Sequence, residues 1–169
     1  MRRFTGVDMP KPEDEARQQI DAKLEAAGWV VQDADELNLF AGRGIAVREF
    51  ALKHGHGFAD YLLYVDRKAA GVVEAKKEGT SLTGVETQAA RYSEGLPDAL
   101  PAHHRPLPFL YQSTGGETRF TNWLDPEPRS REVFTFHLPE TLAEWLDDWP
   151  STLCKRLPPT YQPYSLGGT

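Results

Sequence analysis

GFADYLLYVDRKAAGVVEAKK, residues Gly57 to Lys77, is the stretch whose reading decides the fold. Ala59 to Val65 and Ala69 to Lys76 are runs rich in apolar, β-branched and aromatic residues, separated by Asp66-Arg67-Lys68. Such runs read as strands, and a short polar connection between them predicts an antiparallel hairpin. With the centre near Arg67, Asp60 falls opposite Glu74. Side chains alternate faces along a strand, so Glu74 and Lys76 share a face and Ala75 points the other way. Directly opposite residues have Cβ atoms roughly 4.5–5.5 Å apart. Two carboxylates and one ammonium therefore converge on an otherwise apolar hairpin.

That convergence needs a cause. Like charges placed opposite each other are destabilising, and Asp and Glu are depleted in strands. A divalent cation between Asp60 and Glu74 removes the conflict. Mg²⁺ takes oxygen ligands and is usually held by one or two carboxylates, waters and substrate phosphate. Lys76 then stands within reach of an attacking water or a phosphate oxygen, which is the layout for metal-assisted phosphodiester hydrolysis. The plainer reading is an edge hairpin carrying an ordinary Glu–Lys pair. An acid, any residue and then Lys occurs at Asp21, at Asp66 and at Glu74, but only the third has a facing Asp on a preceding strand.

The whole chain limits the choices. Its 169 residues suit one domain able to bury roughly 70% of its unfolded surface. A hydrophobic share of 40% and a charged share of 26% are ordinary for a soluble globular protein. The lone Cys154 excludes an internal disulfide and a cysteine-based zinc site, and suits a reducing cytoplasm. No apolar run approaches 18 residues, so no membrane span is expected. MRRFTGVDMP has no apolar core and is not read as a secretory signal. A net charge of −6 argues against a strongly basic nucleic-acid binder but not against a nuclease. Carboxylates held for a metal count as negative until it binds, and local positive charge is available at Arg43, Arg48, Lys53, Lys76, Lys77 and Arg91.

Around the hairpin, Pro12 to Glu15 opens a helix with Ile20, Leu24 and Ala27 at core spacing, stopped by Gly28. Glu15, on its first turns, reads by pattern as a solvated partner of the helix dipole. Trp29-Val30-Val31 begins an extended run, and Ile45 to Leu52 reads as a strand. His54 and His56 lie in a glycine-rich loop with no third ligand near in sequence, and read as solvated residues. A helix is expected from about Gly84 to Glu94, with Gln88 and Tyr92 on one face and Arg91 beside them. It is either a half-exposed amphipathic helix or a support donating to phosphate or metal-bound water. Leu107–Gln112, Thr118–Thr121 and Val133–His137 read as further strands, the first two joined at Gly115-Gly116, and Pro139 to Asp148 as a helix. The tail from Pro158 reads as a linker.

Asp60, Glu74-Ala75-Lys76 and Gln88-x-x-x-Tyr92 together resemble the PD-(D/E)xK nuclease superfamily. More closely, the chain resembles the N-terminal nuclease domain of the R subunit of type I restriction enzymes. Glu15-Ala16-Arg17 through Ile20-Asp21 and Gly28-Trp29, Ala59 to Leu63, Val73 to Lys77, and Gln88-Ala89-x-x-Tyr92 carry that similarity, over roughly residues 13 to 137. Ala59 stands where the superfamily's namesake Pro would be, at a loosely kept position. The resemblance implies that Asp60 and Glu74 ligate Mg²⁺, with Mn²⁺ able to substitute, and that Lys76 positions or activates water. Gln88 and Tyr92 would support the site and the DNA backbone, and Glu15 would be the first-helix acid that helps the metal. Lys77, Arg91 and Arg43 are the expected DNA contacts. It further implies double-stranded DNA as substrate, modification and specificity subunits as partners, and an ATP-using motor region that follows in the same full-length chain.

The expectation is thus an α/β, restriction-endonuclease-like fold: a central mixed sheet carrying the catalytic hairpin, flanked by helices. Residues 1–157 form the nuclease domain and 158–169 a linker toward the motor. The activity expected is Mg²⁺-dependent endonucleolytic cleavage of DNA in the cytoplasm. Two alternatives stand beside it. One is a non-catalytic DNA-binding or docking module with the same fold. The other is a nuclease of another repair or defence context.

Overall fold

A computed structural model of the chain describes residues 12–82, 92 and 95–149. The helix expected over 84–94 lies almost wholly outside these residues, taking Gln88 and Arg91 with it, as does the tail from Pro158.

The chain opens with α1 (Pro12–Ala26). Ala16, Ile20, Leu24 and Ala27 recur at three- and four-residue intervals and are all buried. Gly28 ends the helix in the left-handed region, with φ 83°. There the Gly28 amide donates to the Glu25 carbonyl and the Trp29 amide to the Leu24 carbonyl, satisfying the last carbonyls of the helix.

Seven strands follow in one sheet, ordered as in the sequence: β1 (Val30–Asp33), β2 (Gly44–Ala51), β3 (Phe58–Val65), β4 (Lys68–Ala75), β5 (Phe109–Ser113), β6 (Thr118–Asn122) and β7 (Arg131–Val133). β1 with β2 and β4 with β5 are parallel, and the other neighbours are antiparallel. α2 (Pro139–Asp148) closes the described fold. The architecture is therefore α/β with a mixed, open sheet, as expected. Both helices contribute to a single buried cluster, where Ile20, Leu24, Leu142 and Leu146 pack with Tyr61, Leu63, Phe109, Tyr111 and Phe120. The opposite face of the sheet buries Ile45, Val47, Leu62, Tyr64, Val72 and Leu110 with Tyr92 and Leu96. A strand buried on both faces reads as a continuous apolar run, which explains YLLYV and AAGVV.

Five strands, β2 to β6, depart from expectation by one or two residues at an end, and one segment departs by more. The strand expected over Val133–His137 is instead Arg131–Val133. The chain leaves the sheet edge there because Phe136 drops into the core at 2% exposure, while Phe134 is left 98% exposed.

The hairpin reaches its register by an unexpected route. Asp66 and Arg67 both have positive φ, 47° and 67°, and form a two-residue turn. Val65 pairs with Lys68 and Tyr64 with Ala69 across it. Continued unchanged, that register would set Asp60 opposite Val73. A shift between Leu63 and Tyr64 leaves Ala70 unpaired, and beyond it Leu63 faces Gly71 and Tyr61 faces Val73. Extended one residue beyond that last pair, the shifted register matches Asp60 to Glu74. The bulge, not the turn, aligns the two carboxylates.

Candidate active site

Asp60 and Glu74 stand on neighbouring strands at the end of the β3–β4 ladder, where the strands part. The Asp60 carboxylate takes over as acceptor there: its Oδ2 receives the Ala75 amide at 3.0 Å. β4 stays in the sheet through its other neighbour. Glu74 pairs with Gln112 of β5, and the Lys76 amide donates to the Ser113 carbonyl at 2.8 Å. Glu74 is almost fully buried, at 7% exposure. Burying a carboxylate is costly unless it is paired and hydrogen-bonded. Lys76 ion-pairs with Glu74 Oε1, and the buried amide of Gln112 lies 3.4 Å from Oε2.

Asp60 is held differently. Arg17 of α1 reaches across with one nitrogen 3.2 Å from Asp60 Oδ1 and another paired to Glu49 of β2. These partners, the hydrogen bond with Glu49 first, hold the Arg17 guanidinium above its ordinary range despite some burial. Glu49 falls between two ladder pairs, Arg48 with Tyr61 and Phe50 with Ala59, and its φ of 48° lies in the left-handed region that non-glycine residues seldom occupy. Asp60, Arg17 and Glu49 border a cleft of about 530 Å³, whose wall also includes Arg48, Tyr61 and Asp33.

A second network fixes α1 to the sheet beside this cleft. Arg48 forks onto Asp21, at 3.2 and 2.9 Å, and onto Asp33 at 2.9 Å. The Tyr61 hydroxyl donates to Asp21 at 2.7 Å. Burial first, and then Asp21, push the Tyr61 phenol well above its ordinary range, so it remains a donor.

The expected site residues fall into three groups. Asp60, Glu74 and Lys76 are brought together. Tyr92 is buried in the cluster on the sheet face away from α1, with Ala59 and Leu62. Glu15 is an exposed residue early in α1, two positions before the Arg17 that touches Asp60, and Lys77 is exposed just after Lys76. Arg43 sits at the other end of the hairpin, paired with Asp66 at 3.1 Å, six strand residues or about 20 Å from Asp60. Two other cations expected to offer local charge are also engaged, Arg48 as above and Lys53 with Asp98 at 2.7 Å. Gln88 and Arg91 lie outside the described residues. Among the described residues no group of three or more His, Cys, Asp or Glu is gathered to hold a metal ion, His54 and His56 included. The donor set nevertheless fits a hard cation of the Mg²⁺ type, which commonly takes only one or two carboxylates from the protein.

Three residues of the site were given no role in it at the level of sequence. Arg17 had a signal, since it precedes Asp21 by four and so shares its helix face. Gln112 is the one amide side chain inside a strand that is buried throughout. Glu49 has no readable signal, because its role depends on a backbone conformation.

Residues 35–120 match the family model described as the type I restriction enzyme EcoKI endonuclease subunit second domain. The chain is 28% identical over 189 aligned positions to the type I restriction enzyme EcoKI endonuclease subunit of Escherichia coli (strain K12), covering 82% of this chain and 16% of that protein. It thus spans about one sixth of that relative's length. Its fold is similar to a solved fragment assigned as the HsdR subunit of a type I restriction enzyme from Vibrio vulnificus YJ016. The TM-score is 0.59 and the identity 22%, over 83% of this chain and 26% of the other. Among the described residues no helix is long and apolar enough to cross a membrane.

Proposed function

Because the chain belongs to the family of the type I restriction enzyme EcoKI endonuclease subunit second domain, we propose that it is the part of such a subunit that cuts double-stranded DNA, in the cytoplasm and with Mg²⁺. One observation carries this reading: the Asp60 carboxylate accepts the amide of Ala75, the residue between Glu74 and Lys76, and Lys76 rests on the Glu74 carboxylate. Asp60 and Glu74 would hold the ion, with Glu15 as a further acid from α1. Mg²⁺ in that place would supply neutralisation of phosphate charge and activation of water. Lys76, its ammonium beside Glu74, would orient the attacking water toward phosphorus. The P–O bond opposite the attacking water breaks as the new one forms, and the leaving oxygen takes a proton. Gln88 and Tyr92 would brace the site, and Lys77, Arg91 and Arg43 would meet the DNA backbone. Phosphate contacts carry no base information, so sequence choice would rest with separate specificity and modification subunits, and ATP-driven movement with a motor region of the full-length protein.

A non-catalytic docking module is the second reading. It is favoured by the cations that already occupy both carboxylates, Arg17 on Asp60 and Lys76 on Glu74. Calorimetric titration with Mn²⁺ separates the two. The nuclease reading expects binding by the 169-residue chain that Glu74→Ala abolishes. No binding by the unaltered chain, with DNA present, leaves the docking module.

A further inference from the structure

Arg17 holds a place that the proposed activity does not use. Its guanidinium lies 3.2 Å from Asp60 Oδ1, an oxygen a cation would need, while Asp60 Oδ2 is already engaged by the Ala75 amide at 3.0 Å. The other end of the fork is anchored on Glu49. Glu49 keeps a left-handed backbone, a sparsely populated conformation that persists where surrounding contacts hold it. Glu49 thus gives the guanidinium a second seat beside the first. Arg17 is 39% exposed and lines the cleft, so it can leave Asp60 without unpacking the core.

We propose that Arg17 is the resident counterion of Asp60, and that a divalent cation binds there by displacing it onto Glu49. This rests on the metal-site reading of Asp60. Arg17 is then a positioning residue. While the cation is away it neutralises Asp60 and keeps its carboxylate in place at the end of the hairpin. It also competes with the cation. Removing a competitor for a ligand raises the apparent affinity, whereas removing a residue that merely supports the fold lowers it or leaves it unchanged.

Two measurements on the 169-residue chain test this. The first needs no variant. Side-chain ¹⁵N resonances of Arg17 are followed while Mg²⁺ is added. Displacement expects the Nη signals to shift in step with occupancy. Unmoved Arg17 signals at a Mg²⁺ concentration that shifts the Asp60 and Glu74 backbone amides overturn the proposal. The second compares Mn²⁺ affinity of the wild type, Arg17→Met and Arg17→Lys, with circular dichroism confirming the fold. An exposed ion pair of this kind corresponds to roughly a two- to five-fold change in affinity. Arg17→Met should bind tighter by about that factor, and Arg17→Lys, which keeps the charge but not the two-seated fork, should fall between. Arg17→Met binding no more tightly than wild type overturns the inference and leaves the metal site standing. No Mn²⁺ binding by any of the three overturns the metal-site reading itself.

Discussion

Lys76 makes the sharpest demand at the scale of single residues. It is half-exposed and its described contact is with Glu74, so removing its side chain takes the ion pair from a buried carboxylate but none of the apolar contacts of the hairpin. Lys76→Ala should therefore keep its circular dichroism spectrum and lose DNA cleavage by about 10²-fold or more, the range usual for a positioned proton-transfer group. A variant that still cuts at the normal rate removes Lys76 from the mechanism. Gln112 acts one step back, since its amide is the buried neighbour of Glu74 Oε2. Gln112→Leu keeps the size of the side chain and drops the donor. It should fold as well as wild type and bind Mn²⁺ at least about ten-fold more weakly by calorimetry, as losing a supporting contact of a metal ligand typically does.

Away from the site, the Tyr111 hydroxyl lies 2.7 Å from His137 Nδ1, and the His137 amide donates to the same hydroxyl at 3.3 Å. Burial holds the His137 imidazole below its ordinary value of 6.5. The unfolded chain therefore takes up a proton on this residue at a higher pH than the folded chain does. The resulting stability is complete above about pH 6.5 and is lost as pH falls from there through the folded value. Thermal melts between pH 7.5 and 5 should show Tm falling. His137→Asn, which offers an oxygen to Tyr111 and cannot titrate, should flatten the slope without abolishing it. His104, lowered by burial and by His103, contributes separately.

At the scale of elements, the bulge in β4 decides whether the hairpin carries a site. It is reinforced at Gly71, the first residue of the shifted register. A Cβ there would lie 2.4 Å from the Phe109 carbonyl oxygen and 2.8 Å from Phe109 Cβ, so β5 can approach only because the side chain is absent. Gly71→Ala pushes backbone against backbone and should cost about 1–3 kcal/mol in urea unfolding. It should also weaken Mn²⁺ binding, because a displaced β4 no longer sets Glu74 beside Asp60. Unaltered stability would mean that the strands separate more easily than this contact implies. The sequence made the two strands and their turn legible through alternating apolar runs and a polar break. It did not show the unpaired Ala70, because Ala70 is as apolar as its neighbours and the shift appears only when three strands pair at once. Centring the turn on Arg67 gives the register found beyond the bulge, whereas the turn itself is Asp66-Arg67.

At the scale of the whole molecule, α1 is part of the same unit as the sheet. Ile20 and Leu24 are fully buried against it, and Arg48 and Tyr61 clasp Asp21. Leu24→Ala should lower stability by about 2–5 kcal/mol while unfolding remains a single cooperative transition. Two separate transitions in urea, followed by tryptophan fluorescence and circular dichroism, would show α1 to be an appendage. The chain carries 25 acids against 19 Lys and Arg, and of those cations Arg43, Arg48 and Lys53 are paired with carboxylates. Any DNA contact they make must compete with these pairs.

The sequence by itself determined α1, α2 and the strands β2 to β6 to within a residue or two, since burial on one or both faces of an element leaves its period in the order of apolar residues. It also marked Asp60, Glu74 and Lys76, because charges inside apolar strands demand an explanation. Only the tertiary structure decided what neutralises them. Arg17 comes to Asp60 from 43 residues away, and Gln112 to Glu74 from 38. Glu49 joins them through a backbone angle rather than a residue pattern. Such contacts are set by how α1 lies on the sheet and by a one-residue shift in register. Both are balances among many packing contacts, and no local stretch of sequence encodes them.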